Sequence, residues 1–205
     1  MDFYHNLVTV KSWQLLLNLR KKYHFILIGG WAVFLYTKAL KSKDIDLVVD
    51  YEELEKMRVE FEVVKNDRLK KYEARSEEVE IDIYLPFYSN PGLPAENLRK
   101  FVISLEGFKT VEKEILAILK QKVLMTRGES VKGRKDLGDL VSLLRLPDFD
   151  WDKYRHLVKE YRVEEYLKYS QKIFRETFKI EEIGLNVHQF ARFKRKILPL
   201  IEAIK

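Results

Sequence analysis

The sequence has no cysteine, and only five prolines, eight glycines and three methionines in 205 residues. Without cysteine there is neither a disulfide framework nor a thiolate site, so any metal must sit on oxygen or histidine ligands. The four histidines, at positions 5, 24, 156 and 188, show no metal-ligand spacing, and none is expected to be catalytic. No apolar run approaches the roughly 18 uncharged residues of a membrane span. The opening MDFYHNLVTVKS lacks the basic, apolar and small-residue order of a secretory signal. The expectation is therefore a folded, soluble, cytoplasmic protein with no membrane partner. Abundant Lys and Glu beside few Met fit a heat-adapted source, on composition alone.

What the chain does contain is enough apolar material, 46% of residues, to bury a core, and a length that suits one large domain or a domain with an extension. The net charge of +6 is unevenly spread: +3 over residues 1–50, −2 over 51–150 and +5 over 151–205. A basic C-terminal quarter suits a phosphate backbone or an acidic protein partner, and equally a solvated helical surface.

Periodicity divides the chain in two. Trp13, Leu16, Leu17 and Arg20 recur at helical spacing in residues 10–22. Phe25 to Ile28 read as a short strand ended by Gly29 and Gly30, Trp31 to Leu40 as a helix, and Asp44 to Val49 as a second strand. One or two helical turns are expected over 52–56. Strands follow over 59–64, 71–75 and 79–85, the last two joined by a link so short that only a hairpin fits. Pro86, Pro91, Gly92 and Pro94 mark a loop, and 101–105 add one more strand. From Val111 the signals are helical: 111–127, 135–146 ended before Pro147, a helix through KYRHLVKEY capped by Asp150 or Asp152, then 163–179 and 187–204, the last kinked or split at Pro199. The fold expected is α+β, with a mixed-sheet core over residues 1–110 and a helical region over 111–205.

The stretch ILIGGWAVFLYTKALKSKDIDLVVD carries the chemistry. Side chains alternate along a strand, so Asp44 and Asp46 point to one side, and Ile45 and Leu47 to the other. In VEIDIYLP the same rule groups Glu80, Asp82 and Tyr84 against Val79, Ile81, Ile83 and Leu85. If the two strands are neighbours, three carboxylates converge. Like charges in proximity raise one another's pKa, and hard divalent cations relieve the repulsion. Two Mg²⁺ ions roughly 3.5–4 Å apart can serve an in-line displacement at phosphorus. Asp44, Asp46 and Asp82 are the expected metal ligands, with Asp82 alternatively a base and Glu80 in reserve. Gly29 and Gly30, ending a strand and opening a helix, let backbone N–H groups approach the triphosphate of an NTP. Ser42, with Lys41 or Lys43, adds further candidate phosphate contacts. An edge strand with one wet face would show the same alternation without any chemistry.

This combination resembles the nucleotidyltransferase superfamily with a polymerase-beta-like core. Its signature is a hydrophobic residue, Gly followed by Gly or Ser, about a dozen residues, a D-h-D strand and a third carboxylate downstream. Gly29, Gly30, Asp44, Asp46 and Asp82 match it, with 13 residues between Gly30 and Asp44. Gly30 stands where many members have serine, which removes one hydroxyl. A second stretch, EILAILKQKVLMTRGESVKGRKDLGDLVSLL, is similar to the helical block of AbiEii-like nucleotidyltransferases, the toxins of type IV toxin–antitoxin pairs. That resemblance implies Lys120 as a triphosphate contact, with Lys122 as the alternative in another register, and Arg127 as a partner in the site. It implies Asp136 as a catalytic auxiliary or as the group that orients Lys120 or Arg127. The plainer alternative makes Arg134, Lys135, Asp136 and Asp139 a helix start with local ion pairs.

The activity so implied is Mg²⁺-dependent transfer of a nucleoside monophosphate from an NTP to RNA, such as a tRNA end, or to a protein side chain, in a toxin that has an antitoxin partner. The alternatives are a silent relative that binds nucleotide or RNA, and a scaffold docking an acidic partner. The Tyr-rich basic tail can stack on single-stranded bases, but tyrosines at helical spacing favour a core or interface role.

Overall fold

Short alternating segments build a sheet in the first half of the chain. The computed structural model describes residues 2–204, and the side chain of His5 lies outside those described. The elements run α1 (Asp2–Lys22), β1 (Ile26–Ile28), α2 (Gly29–Thr37), β2 (Ile45–Val48), α3 (Tyr51–Glu60), β3 (Val63–Asn66), β4 (Lys71–Ser76), β5 (Val79–Tyr84), α4 (Ala95–Leu98), β6 (Val102–Leu105) and β7 (Phe108–Val111). The seven strands are ordered β3-β4-β5-β2-β1-β7-β6. β2 runs parallel to β5, and β1 to β7, while the remaining neighbours are antiparallel. This is the expected mixed sheet.

One sheet face is apolar for the reason the alternation gives. Leu27, Ile45, Leu47, Ile81 and Ile83 are fully buried. At roughly 1.5–3 kcal/mol for each such side chain, they fix which way every strand faces. Trp31 on α2 is buried, donates from Nε1 to Ser12 Oγ on α1 at 2.8 Å, and packs at a tilt against Trp13 with ring centroids 4.9 Å apart. That contact locks α2, and with it the turn at Gly29, in place.

Three expectations are corrected. A strand, β7, stands just ahead of the helix expected from Val111. A two-residue turn at Glu106 and Gly107, both with positive φ, returns β6 into β7. Thr110 then pairs with Leu27, and its hydroxyl donates to the Leu27 carbonyl at 2.8 Å. The helix over 52–56 extends to Glu60 because Leu54 and Met57, three apart, share a buried face, so Val59 is an exposed helical residue and not a strand residue. The last helix is also not split at Pro199: it continues through it, with one backbone donor fewer.

The chain divides into two units, Met1–Glu112 and Lys113–Lys205. The second is helical: α5 (Lys113–Arg127), α6 (Val131–Leu144), α7 (Trp151–Glu160), α8 (Glu164–Glu176) and α9 (Val187–Glu202). Asp150 caps α7, accepting from the Lys153 N–H at 2.9 Å. The tail's aromatics line this unit's core: Tyr154 is fully buried and donates to Gln121 Oε1, and Phe174, Phe190 and Phe193 pack ring against ring. Among the described residues, no helix is long and apolar enough to cross a membrane.

Candidate functional site

The polar face of the sheet brings carboxylates from separate strands into one row. Asp46 on β2 is in direct register with Asp82 on the parallel neighbour β5, and Asp82 in turn with Glu73 on β4. Residues opposite one another share a face, so Glu73, Asp82 and Asp46 stand side by side across three strands. Asp44 lies one residue ahead of β2 and is half-buried, as are Asp46 and Asp82. Glu80 shares the Asp82 strand face but is exposed, opposite Arg75.

On the other side of β2, Ile28 is in register with Asp46, and there the chain turns into α2. Gly29 has φ +68°, and a Cβ on it would lie 1.9 Å from Asp46 Oδ2 and 2.4 Å from the Asp46 carboxyl carbon. The Asp46 carboxylate fills the space a side chain would take, so this approach requires glycine on grounds of both conformation and volume. Gly30, the next residue, is buried in the first turn of α2. Tyr84 reaches Asp46 Oδ1 with its hydroxyl at 3.5 Å. Ser42 is buried, Lys43 half-buried and Lys41 exposed in the segment leading to β2.

The surroundings perturb Asp82 strongly. Burial first, and then the Asp46 charge, push its carboxyl up to about 6, against the opposing pull of Lys71. Lys71 Nζ lies 2.6 Å from Asp82 Oδ1 and 2.9 Å from Glu73 Oε1. Its side chain is 12% exposed, and that of Asp82 16%. Burial pulls the Lys71 ammonium down, but the two carboxylates more than offset it and leave its pKa raised. Neither Lys71 nor Glu73 was identified as a site residue from sequence. The alternation Lys71, Glu73, Arg75 was visible, but nothing local said that this strand borders Asp82.

The residues fit a hard divalent cation in donor chemistry. Asp46 and Asp82 are adjacent oxygen donors, and burial first, then the Asp46 charge, raises the Asp82 carboxyl even with Lys71 present. In number the fit is partial, because among the described residues no three His, Cys, Asp or Glu side chains are grouped as metal ligands. Lys71 takes part of the place a cation would hold.

The second unit contains a separate buried network. Lys120 Nζ on α5 contacts Asp136 Oδ1 at 2.9 Å and Asp139 Oδ2 at 2.7 Å, both on α6, while Arg127 Nη1 donates to Asp136 Oδ2 at 2.9 Å. Asp139 is wholly buried, and its Oδ2 meets the Lys120 ammonium. Burial opposes ionisation of Asp136, but Lys120 and Arg127 prevail and hold its carboxyl below the usual range. Lys120 is held high by Asp139 and Asp136 despite its burial. Arg134 instead pairs with Glu182 at 2.8 Å. Lys122 is half-buried with its ammonium over the Tyr166 ring. Lys120, Arg127, Asp136 and Asp139 are thus brought together within this unit, in an arrangement where Asp136 orients both cations.

The turn between α5 and α6 sets that arrangement. Ser130 caps α6 by accepting from the Gly133 N–H at 3.1 Å, Gly128 has positive φ, and a Cβ on Gly133 would lie 1.9 Å from the Gly128 carbonyl oxygen.

No family model matches the chain, and no curated protein matches it either. Among solved structures, it is similar to JHP933 from Helicobacter pylori, with 16% identity and a TM-score of 0.46 over 91% of this chain and 85% of that one. It is also similar to an antigenic nucleotidyltransferase-like protein from Paracoccidioides brasiliensis, with 23% identity and a TM-score of 0.41 over 69% and 75% of the two chains. A third likeness is to the Megavirus polyadenylate synthase, with 12% identity and a TM-score of 0.43 over 79% of this chain and 38% of that one. At 12–23% identity and TM-scores of 0.41–0.46, these are the proteins the chain is similar to, and they assign it no activity.

Proposed function

We propose that the chain is a Mg²⁺-dependent nucleotidyltransferase that moves a nucleoside monophosphate from an NTP to an acceptor hydroxyl and releases pyrophosphate. The acceptor class we favour is RNA, a tRNA end included, with a protein side chain as the other; a toxin role with an antitoxin partner follows from the family resemblance. The observation that carries the proposal is the pairing of Asp46 with Asp82 in register, beside a glycine whose side-chain space the Asp46 carboxylate fills.

In this reading Asp46 and Asp82, in register, would hold the metal, with Asp44 the third carboxylate that the family resemblance implies. Bound there, Mg²⁺ supplies charge neutralisation at phosphorus and a lowered pKa for the attacking oxygen. The backbone N–H groups at Gly29 and Gly30, opening α2, face the negative charge of the triphosphate. Alternatively, Asp82 is the base that takes the proton of the acceptor hydroxyl. Within the second unit, Asp136 fixes the guanidinium of Arg127 and the ammonium of Lys120; the family resemblance alone implies a phosphate role for these two cations.

The Lys71–Asp82 ion pair favours one alternative, a silent relative that binds nucleotide or RNA, since it occupies a carboxylate the chemistry needs. Incubation with each labelled NTP, Mg²⁺ and total RNA decides between them. Label transfer that is lost in Asp44→Asn and Asp82→Asn supports the enzyme; transfer untouched by both variants overturns the site.

A further inference from the structure

Three carboxylates and one ammonium make up the row across β4, β5 and β2. Lys71 opens β4, and its Nζ lies between Asp82 Oδ1 at 2.6 Å and Glu73 Oε1 at 2.9 Å. Glu73 Oε1 also accepts from Asn66 Nδ2 on β3 at 3.0 Å, which holds this carboxylate in place independently of Lys71. The lysine is mostly buried, so its charge could not be left without a partner cheaply. With two acceptors, however, it never needs to be: contact with Glu73 persists if contact with Asp82 is broken.

An ammonium and a divalent cation compete for the same carboxylate lone pairs. A cation at Asp46 and Asp82 therefore has to displace Lys71 from Asp82, and Glu73 is placed to receive it. We infer that Lys71 is the built-in counter-ion of the carboxylate row, and that its release from Asp82, with its contact to Glu73 kept, sets the affinity of the site for a divalent cation. Lys71 is in this sense a positioning residue, acting through Asp82, and Glu73 is its resting place. The inference rests on the metal-site reading above.

The two residues should act in opposite directions. Lys71→Met removes the competitor, and Glu73→Gln leaves the lysine only Asp82 to hold. The experiment is titration of the full chain with Mn²⁺ alone, followed by calorimetry and by the loss of free-ion electron paramagnetic resonance signal. Thermal melts in EDTA confirm that each variant is folded, and Lys71→Gln serves if Lys71→Met is not. We expect Lys71→Met to bind Mn²⁺ at least tenfold more tightly than the wild type, and Glu73→Gln at least threefold more weakly. Asp67→Asn, which removes an acidic charge ahead of β4 that pairs with Lys65 and not with Lys71, should change affinity by less than twofold.

A wild type that binds Mn²⁺, with Lys71→Met equal or weaker, overturns the role of Lys71 while leaving the metal site standing. Asp67→Asn weakening binding as much as Glu73→Gln reduces the effect to general field strength and overturns it too. Absence of Mn²⁺ binding in both the wild type and Lys71→Met at millimolar concentration overturns the metal site and the inference together.

Discussion

Neutralising Asp46 while keeping its shape should measurably ease the ionisation of its neighbour. In the folded chain Asp82 keeps its proton up to about 6, against an ordinary value of 3.8. Between those two values the folded state binds more protons than the unfolded state. Stability therefore falls as pH rises through that window and is level above it. The gap corresponds to about 3 kcal/mol lost by pH 7. Burial, the larger cause, survives Asp46→Asn, as does the opposing Lys71, so only part of the loss is recovered, about 1 kcal/mol. The assay is the side-chain carboxyl titration of Asp82 by NMR in metal-free protein, with denaturant unfolding at pH 4 and pH 8. Asp46→Asn should lower the Asp82 midpoint by about one pH unit and stabilise the protein relative to wild type at pH 8 but not at pH 4. An unmoved midpoint, or a stability difference of equal size at both pH values, would refute the coupling between the two carboxylates.

Gly29→Ala meets both a positive φ and an occupied volume, so it should cost about 2–4 kcal/mol, read as a lower Tm, with loss of nucleotidyl transfer even where the fold survives. Asp136→Asn leaves the buried Lys120 ammonium with a single ion-pair partner and should destabilise the protein by about 3 kcal/mol in denaturant titration. Because the Asp136 carboxyl is held low, its contribution is present above the ordinary carboxylate value and lost as pH falls below that value and through the lowered one of the folded state, so the deficit of this variant should shrink in strong acid. Gly133→Ala places a methyl group against the Gly128 carbonyl and should disturb the α5–α6 turn more than Ser130→Ala, whose lost cap is worth about 1 kcal/mol; equal effects on Tm would contradict the close approach.

What periodicity can reveal, it revealed. The alternation in DIDLVV and VEIDIY put the acids on one face and the aliphatics on the other, and the burial of Ile45, Leu47, Ile81 and Ile83 beside half-buried Asp46 and Asp82 follows that pattern. Strand β7 escaped because four residues after a turn carry too little periodicity, and its identity comes from pairing with Leu27, far away in sequence. Lys120 and Arg127 could be placed on one helix face from their spacing. That one carboxylate, Asp136, takes both of them depends on the α5–α6 turn, which two glycines make possible through backbone geometry.

The sequence by itself determined the α+β composition of the chain, the side of each strand on which its acids lie, and the glycine pair ahead of a helix, because all of these are consequences of local repeat and local backbone freedom. Only the tertiary structure decided that β5 and not another strand flanks β2, that Asp46 therefore faces Asp82, and that Lys71 and Glu73 join them. Strand order and register arise from hydrogen bonds and packing between distant segments, and these have no counterpart in the order of neighbouring residues.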